Sequence, residues 1–186
     1  MELRLFSRRR KAEQFEALAA REEKRVYGAC LHILGNREDA LDCAQETMLR
    51  AFRAFDSFRG EAEFSTWITR IAINVCRDEM RRRRDAVSLD ALREETGYEI
   101  PDEGPGAYAQ LEEKERLRLL REGIKALPDE MRQIIVLRDM QGRSYDEIAS
   151  ILSMPLGTVK SRVSRAREKL SSILRKSSEL FSSTSV

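Results

Sequence analysis

Lys160, Ser161, Arg162, Ser164, Arg165, Arg167 and Lys169 crowd one short stretch, "LGTVKSRVSRAREKL", at a spacing that a helix converts into a surface. At about 100° per residue Val159, Val163, Ala166 and Leu170 fall together as an inward stripe, and Ser161, Ser164, Arg165 and Glu168 fall opposite it. Lys160, Arg162, Arg167 and Lys169 flank that outer face. Hydroxyls and guanidinium groups in such an array donate hydrogen bonds to base edges, while the positive charges neutralise phosphates. This is recognition chemistry, in which no covalent bond changes. Catalytic chemistry finds little to work with. His32 is the only histidine, no glycine-rich loop is built to cradle a phosphate, and no nucleophile stands in a recognised context. Cys30, Cys43 and Cys76 are odd in number, widely spaced and without a CxxC pair, so they read as buried reduced thiols, not as metal ligands or disulfides. The chain is expected to be no enzyme and to need neither metal nor cofactor.

What positions the recognition face lies just upstream, in "SYDEIASILSMP". Ser144 and Glu147 have the S-x-x-E spacing of a capping box, in which each side chain satisfies an amide donor that the first helical turn leaves unpaired. Ile148, Ile151 and Leu152 then share the inward side. Ser153 and Met154 leave a turn too short for two helices to lie antiparallel, and Pro155, unable to continue the first helix, suits the entry of the second. The pattern predicts a helix-turn-helix that offers its second helix to a DNA groove. A merely solvated surface helix is the plainer alternative. The cap, the turn, the charge and the short hydroxyls among the bases agree with one another, which a solvated face does not require.

The 186 residues, 41% of them hydrophobic, suffice for one ordinary domain or two small ones. A net charge of +2 hides strong segregation. Residues 85–115 carry ten acids against two bases, and residues 132–176 carry ten bases against four acids. The acidic stretch also holds Pro101, Pro105 and three glycines and shows no sustained period, so it reads as a flexible linker with a short helix or none. Strand signals are missing. Before the linker, Phe15, Leu18, Val26, Tyr27, Cys30, Leu31 and Leu34 predict a helix that ends at Gly35 and Asn36. A second helix puts Leu41, Ala44, Met48, Ala51, Phe52 and Phe55 on one face and Asp42, Gln45, Glu46, Leu49 and Arg53 on the other. A third sets Phe64, Trp67, Ile68, Ile71, Ala72 and Val75 inward, with Thr66, Arg70, Ile73, Arg77 and Arg84 opposite. The expectation is an all-α protein of two small helical domains, 10–84 and 111–177, joined by an acidic linker at 85–110 and ending in a frayed tail at 178–186.

Two stretches in this order resemble the extracytoplasmic-function group of the sigma-70 family of bacterial RNA polymerase sigma factors. "LDCAQETMLRAFRAFDSFRGEAEFSTWITRIAINVCRDEMRRRR" is similar to that family's region 2, and "LPDEMRQIIVLRDMQGRSYDEIASILSMPLGTVKSRVSRAREKL" to its region 4. The resemblance implies a protein that binds core RNA polymerase and directs promoter-specific initiation. Region 2 would bind the polymerase's clamp helices and the −10 element, and region 4 the −35 element and the polymerase flap. Asp42, Gln45 and Glu46 match the positions that face the clamp. Ala54, Phe58, Ile71 and Asn74 match a pocket for a flipped base, which needs an apolar slot and an amide to read a base edge. Arg70 and Arg77 add positive charge beside it. Lys160, Ser161, Ser164 and Arg165 match the positions that read the −35 element, while Thr158, Arg162 and Arg167 are better placed for phosphates. Such relatives are often held inactive by an anti-sigma factor, frequently a membrane-anchored one. Trp67, the only tryptophan, falls in the inward stripe, so the aromatic-rich melting surface of housekeeping sigma factors is not expected and reliance on a strict promoter sequence is implied. Ser164 is small where some relatives carry a bulkier side chain.

A different class of protein, a helix-turn-helix regulator that never touches polymerase, would use the same second module. It would also need a sensing or dimerising half, and the first half offers instead a basic helix and an acid-amide helix. No apolar run reaches the roughly 18 residues of a membrane span, and "MELRLFSRRRKAEQ" lacks the apolar core of a signal peptide, so a cytoplasmic protein that inserts in no membrane is expected.

Overall fold

The structure, a computed structural model, describes residues 2–87 and 107–183, with side chains described for 11–85 and 114–176. All of its regular elements are helical. Contacts group the chain into two compact units, residues 1–95 with 150–153, and residues 96–149 with 154–186. The expectation of little or no helix across the linker concerns mainly 88–106, which lie outside the described residues.

In the first unit α1 (Glu2–Leu34), α2 (Arg37–Ala54) and α3 (Phe64–Val87) pack on one another. Gly35 ends α1 with φ +69°, a conformation that a Cβ disfavours, and its amide bonds the Leu31 carbonyl at 2.8 Å. Asn36 at once caps α2, its Oδ1 accepting from the amides of Glu38 at 2.8 Å and Asp39 at 3.3 Å. The "GN" pair therefore ends one helix and caps the next.

The buried face of α2 differs from the expected one. Ala40, Cys43, Ala44, Thr47 and Ala51 are enclosed, whereas Leu41 and Phe52 are 42% and 39% exposed and Phe55 is half-buried. Small side chains let α1 and α3 approach closely, so the contact face is the one lined with Ala, Cys and Thr, and the bulky residues stand at its rim. In α3 the correction is of width. Thr66, Thr69 and Ile73 are buried as well as Phe64, Ile68, Ala72, Val75, Cys76 and Met80, because α3 packs against both α1 and α2 and buries more than one stripe. Trp67 and Ile71, expected inside, lie at the edge of this arc and are half-buried. Cys30, Cys43 and Cys76, one from each helix, are free and buried as expected. Hydrogen bonding to Cys30 and Cys43, reinforced by burial, pushes the Cys76 thiol up and keeps it neutral.

The second unit contains α4 (Ala107–Lys125), α5 (Asp129–Ile135) with a π-helical turn (Val136–Met140), and α7 (Leu156–Ser183); α6 (Tyr145–Leu152), whose residues 150–152 group with the first unit, leads into α7. Arg132 finishes α4 by donating to the carbonyls of Ile124 at 3.2 Å, Leu127 at 3.0 Å and Lys125. Gln133 to Leu137 form a continuous buried run. Gly123 lies so near α7 that a Cβ would meet Leu174 at 2.9 Å and Leu170 at 3.2 Å. The capping box forms as read: the Ser144 amide donates to Glu147 Oε2 at 2.7 Å, and the Glu147 amide donates to Ser144 Oγ at 3.2 Å. Ser153 closes α6 in the left-handed region at φ +54°, and the Met154 amide reaches back to the Ala149 carbonyl at 3.0 Å. Ile148, Ile151, Leu152, Val159, Val163 and Ala166 are all buried, with Leu170 at the margin. Helix α7 runs on to Ser183, through most of the segment expected to fray.

Burial raises the Glu147 carboxyl, but hydrogen bonds from Arg143 and Ser144 outweigh it and bring the group below its ordinary 4.5. A carboxylate whose folded value is lowered contributes stability that is complete above its unfolded value and is lost as pH falls through the folded one. Ser144→Ala should therefore cost about 1 kcal/mol near neutral pH, and Glu147→Gln should flatten the loss of stability below about pH 5. Urea titrations followed by circular dichroism check both; an identical acid-side slope in wild type and Glu147→Gln contradicts the assignment.

Candidate nucleic-acid interface

Helix α7 turns a row of polar groups away from its buried stripe. Lys160, Ser164 and Arg165 are exposed, and Thr158, Ser161 and Arg162 are half-buried. Ser161 donates to the Thr158 carbonyl at 3.0 Å, which fixes its hydroxyl. Ser164 bonds Glu168 at 3.2 Å. Among the described residues no ion pair engages Lys160 or Arg165, so their charges face solvent. The flanking arginines behave differently. Arg162 donates to Glu130 Oε2 at 2.5 Å, and Arg167 grips Asp139 through Nε at 3.1 Å and through a second guanidinium bond. Asp139 accordingly raises Arg167 further above its already high value. Neither partner was visible in the sequence, since each lies about thirty positions away, on α5 or its π turn.

On the first unit the residues matched to a flipped-base pocket fall along two neighbouring elements. Trp67, Arg70, Ile71, Asn74 and Arg77 share the open side of α3, where Asn74 is exposed and the others half-buried. Phe58 follows the short 3-10 turn Phe55–Ser57 and sets its ring 5.1 Å from Trp67 and 5.6 Å from Phe64. Ala54, just before that turn, is half-buried, and its carbonyl accepts from Ser57 Oγ at 2.6 Å. The ring contacts thus join Phe58 to Trp67, and Ile71 and Asn74 lie one and two turns further along. Phe15 meets Phe52, Phe55 and Phe64 edge-on at 5.3, 5.4 and 6.1 Å, so this end of the unit rests on an aromatic cluster.

A third surface lies on α2. Asp42 and Gln45 are exposed, whereas Glu46 accepts from Arg50 at 2.7 Å, and Arg50 reaches on to Asp78 of α3 at 3.0 Å. Beside Gln45 stand Leu41, Leu49 and Phe52, 42%, 51% and 39% exposed. Sequence patterning had assigned Leu41 and Phe52 to the core. Leu49, an unexplained leucine on a polar face, was the signal that apolar surface is displayed here.

Among the described residues no group of His, Cys, Asp or Glu could hold a metal ion, and no helix is long and apolar enough to cross a membrane. Residues 18–86 match sigma-70 region 2, and residues 117–170 match sigma-70 region 4. The chain is 32% identical over 169 residues to the RNA polymerase sigma-H factor of Pseudomonas aeruginosa, covering 87% of this chain and 86% of that one. It is 39% identical over 142 residues to the ECF RNA polymerase sigma-E factor of Escherichia coli, covering 71% and 72%. Among solved structures it resembles the sigma factor RpoE of Bartonella quintana, in complex with the anti-sigma factor NepR, with a TM-score of 0.74 at 25% identity over 88% of this chain and 98% of that one. It also resembles CnrH in complex with the cytosolic domain of CnrY, with a TM-score of 0.65 at 27% identity over 89% and 90%. Two region matches in order, on two helical units, leave one conclusion: the chain belongs to the sigma-70 family of RNA polymerase sigma factors, in its extracytoplasmic-function group.

Proposed function

We propose a division of labour by which this sigma factor directs transcription initiation. The α2 face of Asp42, Gln45 and Glu46, widened by Leu41, Leu49 and Phe52, docks on the clamp helices of core polymerase. The open side of α3, with Ile71, Asn74, Arg70 and Arg77, takes a flipped base of the −10 element together with Phe58 and Ala54. Helix α7 reads the −35 element through Lys160, Ser161, Ser164 and Arg165, with Thr158 near the backbone, and the second unit meets the flap. In this scheme residues 10–84 and 111–177 are the two working modules, 85–110 connects them and 178–186 is a tail. An anti-sigma factor is the natural regulator, because both structural relatives above were solved in complexes and one of those partners is named as an anti-sigma factor.

The observation that carries the proposal is the outward row of α7, where Lys160, Ser164 and Arg165 are exposed while Val159, Val163 and Ala166 are enclosed. A regulator that never meets polymerase would use that face equally well, but it leaves the displayed leucines of α2 without a role. Reconstituted transcription with core polymerase and a genomic promoter library tests the whole scheme: promoter-selective transcripts that depend on this chain are expected, and their absence refutes it.

Two substitutions test its parts. Asp42→Ala with Gln45→Ala should weaken binding to core polymerase and leave helical content intact, since exposed positions rarely cost more than ~0.5 kcal/mol in stability. Normal competition of the double variant against a second sigma factor for core enzyme would remove the clamp assignment. Arg165→Ala should cost roughly 1 to 3 kcal/mol at the preferred −35 sequence and relax the preference there. An equal loss on matched and scrambled duplexes would mean that Arg165 touches only the backbone.

A further inference from the structure

Arg162 and Arg167 lie on opposite flanks of the α7 face, each about 110° from its centre by helical geometry. Each is held from outside the helix. Glu130, in the first turn of α5, brings Oε2 to 2.5 Å from the Arg162 guanidinium. Asp139, in the π turn that continues α5, accepts two bonds from Arg167. Both carboxylates thus come from the segment on which α7 packs. Between the two flanks Lys160 and Arg165 are exposed and carry no ion pair among the described residues.

A carboxylate occupies the same guanidinium donors that a phosphate would take. Neither pair is sealed from water: Arg162 and Glu130 are 35% and 70% exposed, and Arg167 and Asp139 are 51% and 33% exposed. Exposed pairs contribute little to folding, so their effect falls on what the arginines are free to bind. We propose that Glu130 and Asp139 are internal substitutes for phosphate, which hold the two flanking arginines off the DNA backbone and so lower sequence-independent affinity while leaving the base-reading centre untouched. This rests on α7 being the DNA-reading helix. The physical sense is that each phosphate contact strengthens binding to every sequence alike, and genomic DNA offers a vast excess of wrong sequence. Holding back two such contacts weakens the competitor without altering discrimination.

The test uses the full chain in fluorescence anisotropy, with duplexes carrying the preferred −35 sequence or a scrambled one, over a range of salt concentrations. Glu130→Gln and Asp139→Asn should each bind both duplexes roughly two- to fivefold more tightly near ~0.1 M salt, the scale of an exposed ion pair. The slope of log affinity against log salt should steepen by about 0.9 for each arginine released, with the matched-to-scrambled ratio unchanged. The gain must act through the arginine, so Glu130→Gln should give none in an Arg162→Ala background. Unchanged affinity and slope, or a gain that survives without Arg162, overturns the proposal. If the wild type shows no preference for the matched duplex, the assignment of α7 as sequence reader fails, and the salt slopes on the scrambled duplex still decide whether the carboxylates restrain the arginines.

Discussion

Everything α7 displays depends on where α6 begins, and that is set by a small polar knot. Arg143 is only 6% exposed, a costly position for a guanidinium unless it is paired. It is paired with Glu147 Oε1 at 2.8 Å, whose other oxygen holds the Ser144 amide, and the Arg143 carbonyl accepts from Arg138 at 2.7 Å. Arg138 in turn lies over the Tyr145 ring at 4.6 Å. The knot fixes the first residue of α6. Each residue of slippage there would rotate the helix by about 100° and take Ile148 and Ile151 out of the core. With α6 pinned at one end and stopped by Ser153 at the other, α7 has one rotation that encloses Val159, Val163 and Ala166. The outward row follows from that choice.

How much of this could be read in the chain follows the range of the interactions. The capping box spans three residues, the inward stripe repeats every three or four, and the "GN" pair ends one helix as it starts the next, so each was legible locally. The partners of Arg162 and Arg167 were not, because Glu130 and Asp139 meet them only after α5 and α7 have packed. On α2 the failure is of another kind. Hydrophobic patterning favours Leu41 and Phe52 for the core, but packing against α1 and α3 rewards small side chains that allow close approach, and Ala40, Cys43 and Thr47 were taken instead. The same double packing explains why Thr66 and Ile73 are buried on a side of α3 that reads as polar. Of the candidate site, the outward row of α7 and the exposure of Asp42 and Gln45 were legible. The charge state of its flanks and the displayed leucines were not.

The surfaces on α2 and α7 differ in the force they can use. From Lys160 to Lys169 every exposed side chain is polar or charged, so there is almost no apolar area to remove from water. Affinity for a polyanion must then come from counterion release, which scales with the number of free positive charges and falls steeply with salt. The α2 face mixes Asp42 and Gln45 with Leu41, Leu49 and Phe52, and apolar area so displayed is covered favourably by a protein partner, through a term that salt scarcely screens. A chain that holds a protein by area and a nucleic acid by charge can adjust the second without disturbing the first. Under the proposal above, the number of unpaired cations on α7 is the adjustable quantity, and the acids that set it, Glu130 and Asp139, lie outside α7 on α5 and its π turn.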